Sequence, residues 1–237
     1  MRSSSIPEAD PTPPPAGPRP PATPPLVTPA RTGGLLALLA GLLVTLVVAE
    51  WGPLLSFDRM TAEALHRRAV AEPELTWLNR VLTDWAWDPW TMRLLIAAAV
   101  ITLWLRGTRL LACWVAATSV VGAALSQGLK YAVGRERPRW PDPVDSAHFA
   151  AFPSGHAMTA AVSCGLLLWV AHRHGVGRLA WRTALAVAVV SVAGAGLTRL
   201  WLGVHWSADV LAGWLLGGCL VAFSIASYTR LDSPRES

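Results

Sequence analysis

The side chains able to do chemistry in this chain gather between Lys130 and Asp209. Lys130-x6-Arg137-Pro138 comes first, Pro153-Ser154-Gly155-His156 follows, and Arg199-x5-His205-x3-Asp209 closes the series. Three cations, two imidazoles and a carboxylate suit the handling of phosphate. Guanidinium and ammonium groups neutralise phosphoryl oxygens, a helix N-terminus adds N–H donors, and a His–Asp pair makes an oriented nucleophile or base. If His205 and Asp209 share a helix, their spacing puts them on one face a turn apart, where the carboxylate fixes the imidazole tautomer. Pro153 keeps the preceding chain from entering helically, and Ser154 is a favourable N-cap. Ser154 Oγ with the N–H groups of Gly155 and His156 then forms an anion cradle at the positive end of a helix. The missing side chain of Gly155 permits close approach.

Each motif alone has a plainer reading. His205 and Asp209 can be an interfacial polar pair, and Lys130 can snorkel from the end of an apolar span. Arg135 and Arg139 read as interfacial too, with Glu136 as a solvated partner, and Asp142, Asp145 and His148 read as solvated loop residues. The joint occurrence of three ordered patterns is what argues for a site.

The elements that carry these motifs are membrane spans. Of 237 residues, 53% are apolar, and long uncharged runs cover Thr32–Ala49, Leu110–Leu129 and Val210–Thr229. Each is close to the length needed to cross a hydrocarbon core of roughly 30 Å. Shorter runs at Trp90–Leu105, Ala157–Ala171 and Thr183–Thr198 bring the expected total to six helices. The expected fold is therefore an all-α polytopic bundle over residues 32–229, between a disordered Pro-rich tail (1–31) and a short C-terminal tail (230–237). Between the first two spans, a mixed stretch from Phe57 to Asp84 is split by Pro73 into two helical segments lying on the membrane surface or beside the site. Trp77, Trp85, Trp87 and Trp90 read as an interfacial belt.

The net charge of +5 comes from basic residues placed between spans, not from a stripe on a soluble face, so nucleic acid is not an expected partner. The hairpins around Arg106–Arg109 and His172–Arg182 carry arginine and no acid, which puts them in the cytoplasm with both termini. Counting spans then puts all three motifs on the external face. Lys130 is the only lysine among the twenty basic residues. Cys113, Cys164 and Cys219 lie within apolar runs at no metal-ligand spacing and read as small buried hydrophobes.

The three motifs resemble the phosphatase signature of the phosphatidic acid phosphatase type 2 superfamily, and the six-span layout is similar. One departure is Thr198, where the family usually has Ser before the third-motif Arg. The resemblance implies a membrane phosphatase acting on a lipid phosphate or pyrophosphate, with undecaprenyl pyrophosphate, phosphatidylglycerol phosphate and phosphatidic acid as candidates. It further implies that Lys130, Arg137 and Arg199 hold phosphoryl oxygens with Ser154 and Gly155. His205, oriented by Asp209, attacks phosphorus to give a phosphohistidine, and His156 protonates the departing oxygen. No metal or other cofactor is expected, and activity should rise and fall through the histidine range of pH. Phosphotransfer to an acceptor other than water is the alternative within enzymes, since it needs only an acceptor site. A lipid-binding or transport protein with a polar substrate path is the non-enzymatic alternative.

Overall fold

The computed structural model describes residues 28–232. Within them the chain forms α1 (Pro29–Val48), α2 (Gly52–Ala71), α3 (Pro73–Val81), α4 (Pro89–Leu105), α5 (Arg109–Val133), α6 (Gly155–Arg173), α7 (Arg178–Trp201) and α8 (Ser207–Asp232). A π-helical turn, Leu82–Ala86, links α3 to α4. There is no strand among the described residues. Six segments are long and apolar enough to cross a membrane: α1, the continuous Pro73–Leu105 segment ending in α4, and α5 to α8. The expected polytopic all-α bundle is therefore the architecture observed. The expected tails lie largely outside the described residues. Where they overlap, α1 begins at Pro29, with the Thr28 side chain accepting from Arg31 N–H as an N-cap, and α8 continues through 230–232.

In lipid, close approach of helices comes from small residues and satisfied polar groups more than from hydrophobicity. α6 and α8 show this well. A Cβ on Gly213 would lie 2.8 Å from Ser154 O, and one on Gly217 would lie 2.7 Å from Ala161 Cβ, so α8 fits against α6 only through its glycines. Away from the motifs, Ile96, Leu103, Val115, Val162, Leu166 and Val221 join α4, α5, α6 and α8 in one cluster. A second cluster of Leu43, Val47, Phe152, Ala208 and Ala212 fixes α1 and the segment before α6 against the start of α8.

Pro73 does divide the stretch between the first two spans, but its first half is a full 20-residue helix. α2 buries Asp58, Ala62, His66 and Ala69, a helical spacing that aims one face at the bundle end. His66 stacks on Trp140 with ring centroids 4.1 Å apart. Trp201 Nε1 donates to Thr76 Oγ1, and that hydroxyl donates to Ala69 O, so α7, α3 and α2 are tied together. Of the expected aromatic belt, Trp77, Trp85 and Trp90 are exposed, whereas Trp87 packs on α7, where a Cβ on Gly194 would meet its ring at 2.2 Å.

Candidate active site

The third motif is set by a turn. α7 ends at Trp201, and Gly203 turns the chain at φ +68°, a left-handed conformation open to glycine at little cost. Trp140 Nε1 donates to Gly203 O at 2.8 Å and fills the space a Cβ would need. His205 therefore lies in the turn and not on a helix, contrary to the shared-face expectation. Asp209 is the third residue of α8, and its Oδ2 accepts from Trp206 N–H at 2.9 Å, the carboxylate half of a capping box. The same Oδ2 is 3.2 Å from His205 Nδ1. The spacing thus pairs imidazole with carboxylate through a helix cap. On the other side of the ring, Nε2 is 3.1 Å from Arg137 Nη1. With Nδ1–H donating to Asp209, Nε2 carries the lone pair.

The first motif runs off the end of α5. Lys130 is buried on the last turn, where its Nζ donates to Ala150 O at 2.8 Å. Gly134, at φ +60°, caps the helix, and the chain then extends past Arg135 and Arg137. Arg137 is held hard: Nε donates to Phe149 O, Nη1 to Val204 O, and Nη2 to His148 O and Ala150 O. With Nη1 also facing His205, all five of its N–H groups are engaged. Arg135 does not lie at the interface. It forks between two buried carboxylates, with Nη1 on Asp209 Oδ1 and Nη2 on Asp58 Oδ2, both at 2.7 Å. Arg139 and Glu136 do form the expected solvated pair.

The second motif sits against both. The Phe152–Pro153 peptide bond is cis, and Ser154 N–H donates to Asp209 O at 2.9 Å. Ser154 takes the N-cap position of α6, yet its hydroxyl caps nothing. Ser154 Oγ, Ser126 Oγ and Arg199 Nε are all buried and find no hydrogen-bond partner among the described residues. A Cβ on Gly155 would lie 3.9 Å from both Lys130 Cε and Ser126 Oγ, so these side chains face the open N-terminus of α6. His156, on the first turn of that helix, lies within electrostatic reach of Arg199, His205, Arg137 and Lys130. Both imidazoles are thus at one end of the bundle with all three motif cations.

Arg199 is the least anchored of the cations. Its Nη1 is 3.5 Å from Thr83 Oγ1 and 3.4 Å from Asp145 Oδ2. Thr83 arrives on the π-helical turn, whose wider winding aims that residue at the site. Asp145 arrives on the loop between the first two motifs, which Arg80 also holds through Val144 O. Asp145 is therefore not simply solvated. A cavity of about 560 Å³ opens beside the site, with Arg137, Asp145, Ala150 and Val204 in its wall; it flanks the imidazoles and does not contain them.

Burial, followed by the charges of Arg137, Arg199 and Lys130, holds the His205 imidazole well below the usual histidine range. Burial and then Arg199 bring the Arg137 guanidinium down to about 10, still fully charged at neutral pH. Burial pushes the Asp58 carboxyl up, against the pull of Arg135 and of Ala208 N–H. The result is a neutral, oriented imidazole beside unpaired donors and fixed positive charge, an arrangement able to accept a phosphoryl group.

Sequence reasoning missed Ser126, Thr83, Asp58 and the buried role of Arg135. Ser126 could have been found, since it lies one helical turn before Lys130. The others depend on α2 and the π-turn folding over the bundle end. Thr198 directs its hydroxyl back along its own helix, to Gly194 O at 2.8 Å. His172 and His174, at the opposite end, meet Trp181 and Val170 O respectively.

Comparison with known proteins agrees with this layout. An undecaprenyl-diphosphatase of Sulfolobus acidocaldarius is 24% identical over 200 residues, covering 81% of this chain and 87% of the relative. A phosphatidylglycerophosphatase B of Bacillus subtilis is 34% identical over 95 residues, 39% of this chain and 46% of the relative. The crystal structure of a transmembrane PAP2-type phosphatidylglycerolphosphate phosphatase from Bacillus subtilis superposes with a TM-score of 0.72 at 22% identity, covering 87% of this chain and 99% of that one. The family model for the PAP2 superfamily matches residues 110–232, the stretch that holds every motif and more than half of the chain. The chain is a member of the PAP2 superfamily, a phosphatase of the membrane-embedded, six-span kind.

Proposed function

We propose that this protein removes phosphate from a lipid phosphate or diphosphate at the external face of the membrane, through a phosphohistidine on His205. The observation carrying this reading is the His205 ring itself, with Nδ1 on Asp209 and Nε2 among three cations. In the proposed reaction the phosphoryl oxygens are held by Lys130, Arg199 and Arg137, the last exchanging part of its carbonyl contacts for substrate. Ser154 Oγ and the N–H groups at the start of α6 complete the seat. Nε2 of His205 attacks phosphorus in line, and Asp209 stabilises the positive charge that the ring acquires. His156, which can hold a proton once the negative charge of bound phosphate offsets the cations around it, protonates the departing oxygen and then, as base, activates the water that releases phosphate.

Charge on the transferring group is met by side-chain cations, so activity is expected to persist in EDTA; loss in EDTA with recovery on adding magnesium counts against the site. The names of the two relatives, an undecaprenyl-diphosphatase and a phosphatidylglycerophosphatase, support lipid substrates. A seat at the ends of membrane helices suits a charged head whose tail remains in lipid. The test is phosphate release by purified protein in detergent, comparing polyprenyl diphosphates with glycerophospholipid phosphates. His205→Ala should abolish release, and wild type briefly mixed with radiolabelled substrate should carry acid-labile label. Release that survives His205→Ala overturns the proposal.

A further inference from the structure

We infer that Asp58 and Arg135 are positioning residues for the nucleophile, setting the orientation and basicity of His205 through Asp209. This inference rests on the reading of His205 given above. Asp58 comes from α2, well before the stretch that the family model matches, and is 1% exposed, on an otherwise mixed and largely solvated helix. Its two oxygens do two things. Oδ2 accepts from Arg135 at 2.7 Å, and Oδ1 accepts from Ala208 N–H, in the first turn of α8, at 2.9 Å. The other arm of Arg135 reaches Asp209 Oδ1 at 2.7 Å, leaving Oδ2 for His205 and for Trp206 N–H. Arg135 also lies over the Trp206 ring, 5.6 Å from its centroid. One oxygen of Asp209, Oδ1, and the entry of α8 are thereby fixed from outside the motif, while Oδ2 serves His205 and Trp206 within it.

The charge arithmetic gives Asp58 its role. An arginine bound to Asp209 alone would cancel the carboxylate that must stabilise a positively charged His205 ring. Asp58 cancels that arginine, so the chain Asp58–Arg135–Asp209 keeps a net single negative charge behind His205. It works against Lys130 from α5, Arg137 from the following loop and Arg199 from α7, with His156 on α6 as a further neighbour. Asp145, Asp84 and Asp88 act in turn on Arg199.

Asp58→Asn tests this with little change of shape, because the amide oxygen can still accept from Ala208 N–H. With Arg135 unopposed, His205 becomes less basic, so kcat should fall about 10- to 100-fold while KM changes little. The acid limb of kcat/KM should move to lower pH by about one unit. Mere loosening of the site would admit water and move that limb the other way, toward the usual histidine value. Arg135→Lys keeps the charge but cannot fork, and should lower kcat without the downward shift. Ring 15N spectra at neutral pH, with the His205 signal identified by its absence in His205→Ala, should show the proton on Nδ1 in wild type and a mixture of tautomers in both variants. A limb that stays or moves upward in Asp58→Asn, or an unchanged ring spectrum, overturns the inference. If wild type releases no phosphate from any lipid in the panel, the functional reading falls, and the ring spectra still decide the role of the pair.

Discussion

At the scale of single residues, the site is defined by which polar atoms are spent and which are free. Arg137 spends all its donors on backbone carbonyls and on His205, so it organises the loop as much as it offers charge. Ser154 Oγ, Ser126 Oγ and Arg199 Nε are buried and unspent, a costly state unless a ligand claims them. Ser126→Ala should therefore lower kcat/KM about tenfold, the worth of one hydrogen bond to a charged group. It should weaken inhibition by inorganic phosphate in proportion; full activity and unchanged inhibition would place Ser126 outside the seat. The pH profile follows from His205. Its depressed pKa means that the neutral form, the one that would attack in the proposed reaction, persists as pH falls. The acid limb of kcat/KM should accordingly lie below about 6.5, the unperturbed histidine value. A limb at or above it, measured over a buffer series at constant ionic strength, would show that the ring is more solvated than the structure gives it.

At the scale of elements, three joints hold the motifs together: the Gly203 turn, the α6–α8 contact at Gly213, and the clamp from α2. Gly203→Ala puts a Cβ where the Trp140 indole sits, at a φ that costs an L-residue roughly 1–2 kcal/mol. Thermal unfolding in detergent should show a loss of several degrees, with activity lost alongside because His205 lies two residues on. An unchanged midpoint would mean that Trp140 can move aside. Arg135→Ala leaves two carboxylates, 1% and 0% exposed, facing each other without a cation. Breaking such a buried network costs about 3–5 kcal/mol, so this variant should be far less stable than Arg135→Lys by the same measurement.

At the scale of the whole molecule, the six spans bring the ends of α5 and α7 and the starts of α6 and α8 to one end of the bundle, and the arginine-bearing hairpins to the other. If those hairpins are cytoplasmic, the site faces outward. Arg139→Cys should then react with a membrane-impermeant maleimide on intact cells or spheroplasts, whereas Arg178→Cys should react only after permeabilisation. Both should be made in a background lacking the three native cysteines, since Cys113 is itself exposed. The reverse labelling pattern would put the site in the cytoplasm.

The sequence by itself determined the spans, because a membrane helix must satisfy its backbone internally over a fixed apolar length, and composition reports that directly. It also singled out the motif residues, whose types suit phosphate and which the fold brings to one end of the bundle. How His205 meets Asp209 was decided by tertiary structure: the pair forms through a turn and a helix cap, which spacing alone cannot distinguish from a shared helical face. So was the use of Arg135, Asp145, Thr83 and Asp58. Each is an ordinary polar residue in a mixed stretch, and its charge or hydroxyl acquires a partner only when α2, the π-turn and the loop after α5 close over the end of the bundle. A buried ion pair between positions 77 residues apart has no local signature.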